Sequence, residues 1–530
     1  PFPAKRWWTA ICTFIWMELL SFALLILAAA SEEVQDFPES CQKELQLGSK
    51  KYRVASRTVI HQSCSIHGDA TVELDAPLLW NDAVELHGRV TFLATASFHE
   101  ACLSVAGETK ISGSVEFRGC RNINATAPGG AVYVGGDLHV DGSARFQNCH
   151  SESAGGAIYV EGDFWQSGGT MQFDNCSAEN GGALSVHGGL QQSGGSLSFG
   201  GCSARKWGGA IHLEGDLQHS GGSLNVHDCR ASEGGGLYLK EHLVDWTAGS
   251  MLASNCSSSR GGAMVAQSLV QSGGQLDFEA CGASIEAGVL HLQDLNQTAG
   301  SMSFKGGFTK ARGGCAIIEN RFWQMGGSML FSNCTSQRSH GGAIHIGHHG
   351  FGGLKASGKL TFRGCSGNSG GAIKVTAGGA EFSNGTFLFE DCIADTGGGG
   401  AVSVSAGHFI HSSGSSTFNR CRALTSAGGA VQVEGAQSLF KMHGGSMRFS
   451  DCWAFSNGGA LFMSKGLRQQ GGDIELMNCS STSQGGGIYI GLRDGGNLEQ
   501  DAGSISLKTC YVAGGDFQWG FGGGISVGDS

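Results

Sequence analysis

The stretch FDNCSAENGGALSV, from Phe173 to Val186, decides the fold, because the chain repeats it with small changes. Close variants are FQNCHSESAGGAIYV at 146–160, FSNCTSQRSHGGAIHI at 331–346 and FRGCSGNSGGAIKV at 362–375. A cysteine marks nearly every copy, and these markers are Cys120, Cys149, Cys176, Cys202, Cys229, Cys256, Cys281, Cys334, Cys365, Cys392, Cys421, Cys452, Cys479 and Cys510. Successive markers lie 25 to 31 residues apart, except for one double step in which Gly307 takes the place of cysteine. A period of this length indicates a solenoid rather than several globular domains.

Each copy contains apolar residues that alternate with polar ones. After the glycine pair, the first and third positions are apolar in all fifteen copies, as in Ile211 and Leu213 around His212. A second alternating pattern surrounds a glycine turn in DFWQSGGTMQF at 163–173 and GLQQSGGSLSF at 189–199. Alternation of this kind predicts half-buried strands, about three in each repeat. One coil cannot bury its own apolar face, whereas stacked coils can, so the sequence predicts an all-β parallel β-helix of about fifteen rungs.

Composition excludes several other classes. The 90 glycines come with only 5 prolines, which excludes collagen, and 40% hydrophobic residues are too many for a disordered chain. The net charge of -11 carries no basic stripe, so no nucleic-acid partner is predicted. The 19 cysteines lack CxxC pairs, which favours an oxidising compartment over zinc sites. No cofactor is predicted.

The amino-terminal segment predicts export or anchoring. Lys5 and Arg6 precede an apolar run that ends in three alanines at 28–30, as in a secretory signal peptide. The run is also nearly long enough to span a bilayer, so residues 1–30 are predicted to be a cleaved signal or a retained anchor, with residues 7–30 in the membrane if uncleaved. We expect a cap with irregular first rungs at 31–100, β-helix repeats at 101–530, and a gene product that continues past the final repeat. The predicted location is extracellular or at the cell surface.

Polar columns in register predict ladders inside the stack. Asparagine recurs at Asn148, Asn175, Asn255, Asn333 and Asn478, and glutamine at Gln166, Gln192, Gln218, Gln297, Gln324 and Gln500. We expect their amides to bond to the rungs above and below. The cysteine column predicts either disulfides between adjacent rungs, which we favour, or a buried ladder of thiols. Because Gly307 interrupts the column, Cys281 and Cys334 should not pair, and each block of seven leaves at least one cysteine without a partner in the column.

The pairing of GGAI with F-x-x-N resembles the repeat of the polymorphic outer membrane proteins of chlamydiae and related surface proteins. GGAI stands at 155–158, 208–211, 341–344 and 370–373, and the resemblance covers residues 98–527. It implies a right-handed parallel β-helix of the pectin-lyase-like superfamily, displayed outside the cell and associated with adhesion. The chain departs from that family by placing cysteine where the family's asparagine would be, as in FDNC at 173–176.

Two functions from different classes remain open. The favoured one is non-catalytic display or adhesion, with extracellular glycans or cell-surface proteins as partners. It would use the residues between the apolar positions, which should point outward, namely Tyr133, Tyr159, His212, Tyr238, His291, His345 and Tyr489. The alternative is a polysaccharide lyase or hydrolase, for which carboxylates in EGD at 161–163 and 214–216 would hold calcium.

Two further features bear on modification and metal binding. The histidines of HIGHHG at 345–350 are more typical of an exposed loop than of a metal site. Among the glycosylation sequons, Asn124, Asn296 and Asn384 are the better candidates, and the four in NCS or NCT are expected to be buried by-products of the repeat.

Overall fold

Parallel strands coil into one solenoid of about 16 turns, which confirms the predicted all-β parallel β-helix. The computed structural model describes residues 34–347, 352–491, 497–513 and 523–528. The predicted signal or anchor at 1–30 lies outside these residues. Within the described ranges, no helix is long and apolar enough to cross a bilayer.

Each coil has three faces and a short corner strand. The first face follows the glycine pair, and its strands are Thr58–Ile60, Leu78–Trp80, Leu103–Val105, Val132–Val134, Ile158–Val160, Leu184–Val186, Ile211–Leu213, Ile344–Ile346, Ile373–Val375, Val402–Val404, Val431–Val433, Leu461–Met463, Ile488–Ile490 and Ile525–Val527. Four long strands continue from the first face into the second, and these are Leu237–Trp246, Met264–Gln271, Leu290–Gln297 and Ala316–Gln324.

The second face precedes the Ser-Gly-Gly turn. Its strands are Glu44–Leu47, Val84–Leu86, Thr109–Ile111, Leu138–Val140, Phe164–Gln166, Leu190–Gln192, Leu217–His219, Gly353–Ala356, Ala380–Phe382, Phe409–His411, Phe440–Met442, Gly466–Gln469 and Asn497–Gln500. The strand Cys64–Leu74 continues from the second face into the third.

The third face follows that turn and leads to the cysteine. Its strands are Val34–Asp36, Lys51–Val54, Arg89–Ala94, Ser114–Arg118, Ser143–Gln147, Thr170–Asp174, Ser196–Gly200, Ser223–His227, Ser250–Ser254, Gln275–Glu279, Ser301–Lys305, Ser328–Ser332, Lys359–Arg363, Gly385–Glu390, Gly414–Asn419, Ser446–Ser450, Asp473–Met477 and Ser504–Lys508. The corner strands that lead back to the first face are Ser97–Phe98, Arg121–Asn122, His150–Ser151, Ser177–Asn180, Ser203–Trp207, Ser257–Arg260, Gly282–Glu286, Phe308–Thr309, Thr335–Ser336, Ser366–Gly367, Ile393–Ala394, Arg422–Ala423, Trp453–Ala454, Ser480–Ser481 and Tyr511–Val512.

The core is a set of identical columns along the solenoid axis, because the strands pair in register. Ile158 lies beside Leu184, and Leu184 beside Ile211. On the third face, the rings of Phe146 and Phe173 stack with centroids 5.0 Å apart. The inward residues are therefore the apolar ones that the alternation predicts, and each buries its side chain against the coils above and below.

The asparagine column is set mainly by the backbone, so the predicted amide ladder is wrong for most of it, although Asn478 Nδ2 does donate to Asp451 Oδ1 of the coil before at 2.6 Å. Asn148, Asn175, Asn255, Asn333 and Asn478 have φ between 52° and 54°. This left-handed conformation makes the corner before each cysteine, and asparagine tolerates it better than most residues. The five side chains are exposed rather than stacked in the core.

The glutamine ladder is confirmed in the middle of the solenoid. Gln297 donates to Gln271 Oε1 at 2.9 Å, and Gln324 donates to Gln297 Oε1 at 3.1 Å. The prediction fails for Gln218, which is exposed, because His219 takes the inward position in that coil.

The cysteine column is mainly a ladder of thiols. Disulfides join Cys41 to Cys64, Cys102 to Cys120 and Cys315 to Cys334. The other twelve column cysteines are free, so the favoured pairing of adjacent rungs is wrong for them. Their thiols contact backbone carbonyl groups instead, as Cys149 Sγ does with the Gln147 oxygen at 3.5 Å.

Cys120 and Cys334 are the two column cysteines that form disulfides, and their partners lie outside the column. This agrees with the prediction that each block of seven leaves at least one cysteine without a partner in the column. Cys102 and Cys315 replace the alanine of the GGA phrase, the position that Ala131 and Ala343 hold one coil on. In those same coils the column position is small, with Ala96 or Gly307. A Cβ on Gly307 would collide with Cys315 Sγ. The small residue therefore leaves room for a sulfur that enters from the neighbouring position.

Candidate functional site

The predicted outward row of the first face is only partly open to solvent. Tyr133, Tyr159, His291 and Tyr489 are half-buried, and the rings of Tyr133 and Tyr159 stack 5.9 Å apart. The expected exposure is wrong for His212, Tyr238 and His345, whose exposed fractions are 6%, 8% and 2%.

Trp207, in the preceding corner strand, covers part of this row. Its ring stacks on His212 at 5.7 Å and on Tyr238 at 5.5 Å. Burial raises the pKa of Tyr238 to about 12 and lowers the pKa of His212, so both groups are neutral near pH 7. This part of the row is packed aromatic surface and offers a ligand little area.

A cavity of about 360 Å³ lies along the same face beyond Tyr238. Its lining includes Glu233, Lys240, Arg260, His291 and Glu319. Arg260 lies 3.5 Å from Glu233 Oε1, and His291 Nε2 lies 2.9 Å from Glu319 Oε1. Because these charges pair with one another, the carboxylates are not arranged as a free acid and base.

A buried lysine lies further along the face. Lys374 Nζ donates to Ser403 Oγ at 2.9 Å and to Ser369 Oγ at 3.2 Å. Burial lowers the pKa of Lys374, as in serine–lysine pairs that activate a hydroxyl group. Here Ser403 has no exposed surface, so a substrate carbonyl could not reach its oxygen, and the cluster serves packing.

The second face carries an open site that is absent from the residues predicted to bind a ligand. Trp165, Gln191, Gln218 and Asp245 occupy equivalent outward positions in four consecutive coils. They border a cavity of about 330 Å³, together with hydroxyl groups of Ser167, Ser193, Ser220 and Thr247. The signal was present in the sequence, because these residues are the outward positions of the second alternating pattern.

Several polar groups of this site, including those of Gln191, Gln218 and Asp245, are unused by the part of the chain that the structure describes, whereas Thr247 Oγ1 donates to the His219 carbonyl at 3.4 Å. Trp165 Nε1 is buried and has no hydrogen-bond partner there, and the Trp165 ring stacks on His139 with centroids 6.1 Å apart. Elsewhere on the same face the outward residues pair, as Lys110 does with Glu85 at 3.3 Å and Lys355 with Glu381 at 3.5 Å. An aromatic ring beside uncommitted amide, carboxylate and hydroxyl groups can stack on a ligand and exchange hydrogen bonds with it.

The carboxylates considered for calcium take part in turn hydrogen bonds. Asp163 Oδ1 accepts from the Gly189 N–H at 2.8 Å, and Asp216 Oδ1 accepts from the Leu243 N–H at 2.9 Å. Across the described ranges, no group of three or more His, Cys, Asp or Glu side chains could hold a metal ion. The histidine-rich loop is described only up to Gly347.

The glycosylation candidates differ in the exposure and the hydrogen bonding of their side-chain amides. Asn124 is half-buried and donates to the His99 carbonyl at 3.0 Å, and Asn296 is half-buried with a buried Oδ1. Asn384 is exposed and accepts from Ser413 Oγ at 2.7 Å. The expectation that the NCS and NCT asparagines are buried is wrong, because all four are exposed.

Comparison of the chain with protein-family models, with curated proteins and with solved structures gives no match. The fold class therefore rests on the strand pairings alone, and the resemblance to the chlamydial surface repeats stays a prediction.

Proposed function

We propose that this protein is a non-catalytic β-solenoid of the cell surface or extracellular space that binds a neutral glycan through its second face. One observation carries the proposal. Four consecutive coils present Trp165, Gln191, Gln218 and Asp245 along a cavity, and within the described ranges the last three make no side-chain hydrogen bond or ion pair.

The chemistry of these groups favours a sugar over other ligands. Sugar rings offer an apolar face that packs on indole and hydroxyl groups that pair with amides and carboxylates. The coils repeat about every 4.8 Å, comparable to one residue of an extended sugar chain, so a linear glycan could meet one coil per sugar. The net charge of -11 disfavours polyanions such as sulfated glycans.

The secretory features of the sequence support the location. The apolar run before residue 31 and the resemblance to surface repeats both favour display outside the cell. A rigid rod with a repeated binding face suits adhesion, because several weak contacts along one ligand add up to firm attachment.

The first experiment is binding of the full chain to an array of neutral and sulfated glycans, followed by titration of the best neutral ligand. Trp165→Ala and Gln218→Ala should each lower affinity, the former by about tenfold or more, equal to ~1.4 kcal/mol. Matched controls are Trp453→Ala, a corner tryptophan, and Asn225→Ala, an outward amide on the third face. These should leave affinity unchanged.

The proposal fails if the array shows no neutral ligand, or if Trp165→Ala binds as well as the natural chain. Equal losses in Trp165→Ala and Trp453→Ala would also contradict it, because they would place the ligand away from the second face.

A further inference from the structure

We propose that Asn175, Asn255, Asn333 and Asn478 carry N-linked glycans, so that one corner of the solenoid is covered by glycans. The proposal depends on the extracellular location above and not on the ligand of the second face. Each asparagine begins an N-x-S/T sequon, with Ser177, Ser257, Thr335 and Ser480 at the third position.

The fold exposes these four asparagines because of the corner they form. Their φ angles are 53°, 52°, 54° and 53°, and the left-handed backbone lifts each side chain off the sheet while the next residue, cysteine, points into the core. The sequon is recognised in the unfolded chain, so the fold only has to leave room for the glycan. Exposure is therefore the structural condition, and all four meet it.

The following coil places a small residue above three of them and a threonine above the fourth. The equivalent positions one coil on are Gly201, Ala280, Gly364 and Thr509. A Cβ at Gly201 would lie 2.6 Å from Asn175 Oδ1, so the asparagine uses space that a larger residue would fill. By contrast, Asn148, which has no sequon, is followed in the column by Asn175 itself.

The four sites are also separated along the rod. Asn175 and Asn255 are three coils apart, as are Asn255 and Asn333, which corresponds to about 14 Å at one strand spacing per coil. Asn333 and Asn478 are five coils apart, about 24 Å. Glycans at these intervals need not compete for the same space.

The corner lies between the third and first faces, and the second face does not border it. Glycans there would cover the edge of the rod and leave the cavity beside Trp165 and Gln218 open. The two half-buried candidates, Asn124 and Asn296, have amides that the fold already engages or buries. Asn478 Nδ2 also donates, to Asp451 Oδ1 at 2.6 Å, but both of these side chains are exposed. The structure therefore reverses the preference that the sequence suggested for Asn124 and Asn296.

The modification is a group transfer from an oligosaccharide linked to a polyprenyl diphosphate, catalysed by the transferase of the secretory pathway. The asparagine Nδ2 forms a bond to the anomeric carbon of the first sugar as the bond from that carbon to the diphosphate oxygen breaks. The amide loses one proton, and the polyprenyl diphosphate leaves.

The test is to secrete the full chain from eukaryotic cells behind an added signal peptide, so that entry does not depend on residues 1–30. Enzymatic removal of the N-glycans converts each modified asparagine to aspartate, and peptide mapping then detects this conversion. We expect conversion at Asn175, Asn255, Asn333 and Asn478, and none at Asn148, which shares their conformation but lacks the sequon. Each single Asn→Gln variant should lose the mobility shift of one glycan.

Secreted, protease-resistant protein in which these four remain asparagine overturns the inference. So does conversion confined to Asn124, Asn296 and Asn384. Glycan-array binding through the second face tests the proposed function separately, since a chain without glycans at the corner could still bind there.

Discussion

Cys315 fills the space in the core that Gly307 leaves at the column position of the same coil. The cysteine enters from the alanine position of its own coil and bonds to Cys334 in the next, with Cα atoms 5.5 Å apart. Cys102 does the same with Cys120, at a Cα separation of 6.0 Å. The two bridges thus begin the two blocks of the cysteine column, and six free cysteines follow each bridge.

Eleven of the twelve free column cysteines should accordingly behave as buried thiols, and Cys510 is partly exposed. Burial raises the pKa of Cys176 and Cys421 well above the ordinary value, which further slows their reaction as thiolates. We expect alkylation without reductant to modify all twelve after denaturation, and few of them in the native protein. Peptide mapping should show the six bridged cysteines modified only after reduction.

The opposite result would be informative. If the denatured, unreduced protein leaves pairs such as Cys149 and Cys176 unmodified, the column is oxidised and adjacent coils are covalently joined.

Among the elements, the inward column of the second face holds a buried histidine in place of glutamine at two positions, His219 and His411. His219 takes the place that Gln192 holds in the coil before, and its ring stacks on Trp246 at 3.6 Å. Burial lowers the pKa of His219 to about 4, against about 6.5 for an unfolded chain. Between these two pH values the unfolded chain binds a proton that the folded chain does not.

His219 should therefore make the solenoid sensitive to acid. Its contribution to stability is complete above about pH 6.5 and is lost as the pH falls toward 4. His219→Gln restores the residue of the neighbouring coil, and we expect its urea midpoint to fall less between pH 7.5 and 4.5 than that of the natural chain. His227→Gln, an exposed position, should show the same fall as the natural chain. An equal fall in both variants would remove His219 as the cause.

The strands themselves could be predicted, because alternation reports directly which side chains face inward. The alternation predicts that Ile211 and Leu213 face the core, and both are buried. The depth of His212 could not be predicted, since it depends on where the corner strand places Trp207. The bridges of Cys102 and Cys315 had a signal in the sequence, namely a cysteine in the GGA phrase of a coil whose column position holds a small residue. That signal could be interpreted only once the register of the stacked coils was known.

For the whole molecule, contacts between neighbouring coils dominate stability, so damage should stay local. Ile211 has no exposed surface, and Ile211→Asp would bury an unpaired carboxylate at a cost of about 3–5 kcal/mol. We expect hydrogen exchange to accelerate in the coils around 184–239 and to change little near Ile488. Exchange that accelerates uniformly along the chain would instead show one cooperative unit.

Gln218→Asp is the matched control for this experiment, because Gln218 is exposed on the next strand of the same coil. Its effect should stay within about 0.5 kcal/mol. His212→Asp cannot serve as the outward control, since Trp207 and Tyr238 pack around that side chain.

The parallel pairing of coils also has a mechanical consequence. Backbone hydrogen bonds between coils run along the rod, so tension applied at its ends loads the bonds of a terminal coil together while the interior coils hold. When that coil gives way, it releases a repeat of roughly 27 residues, which extends to about 90 Å. A protein tether built in this way would lengthen in steps of one coil under tension. Each step would lower the force on the contacts at its far end.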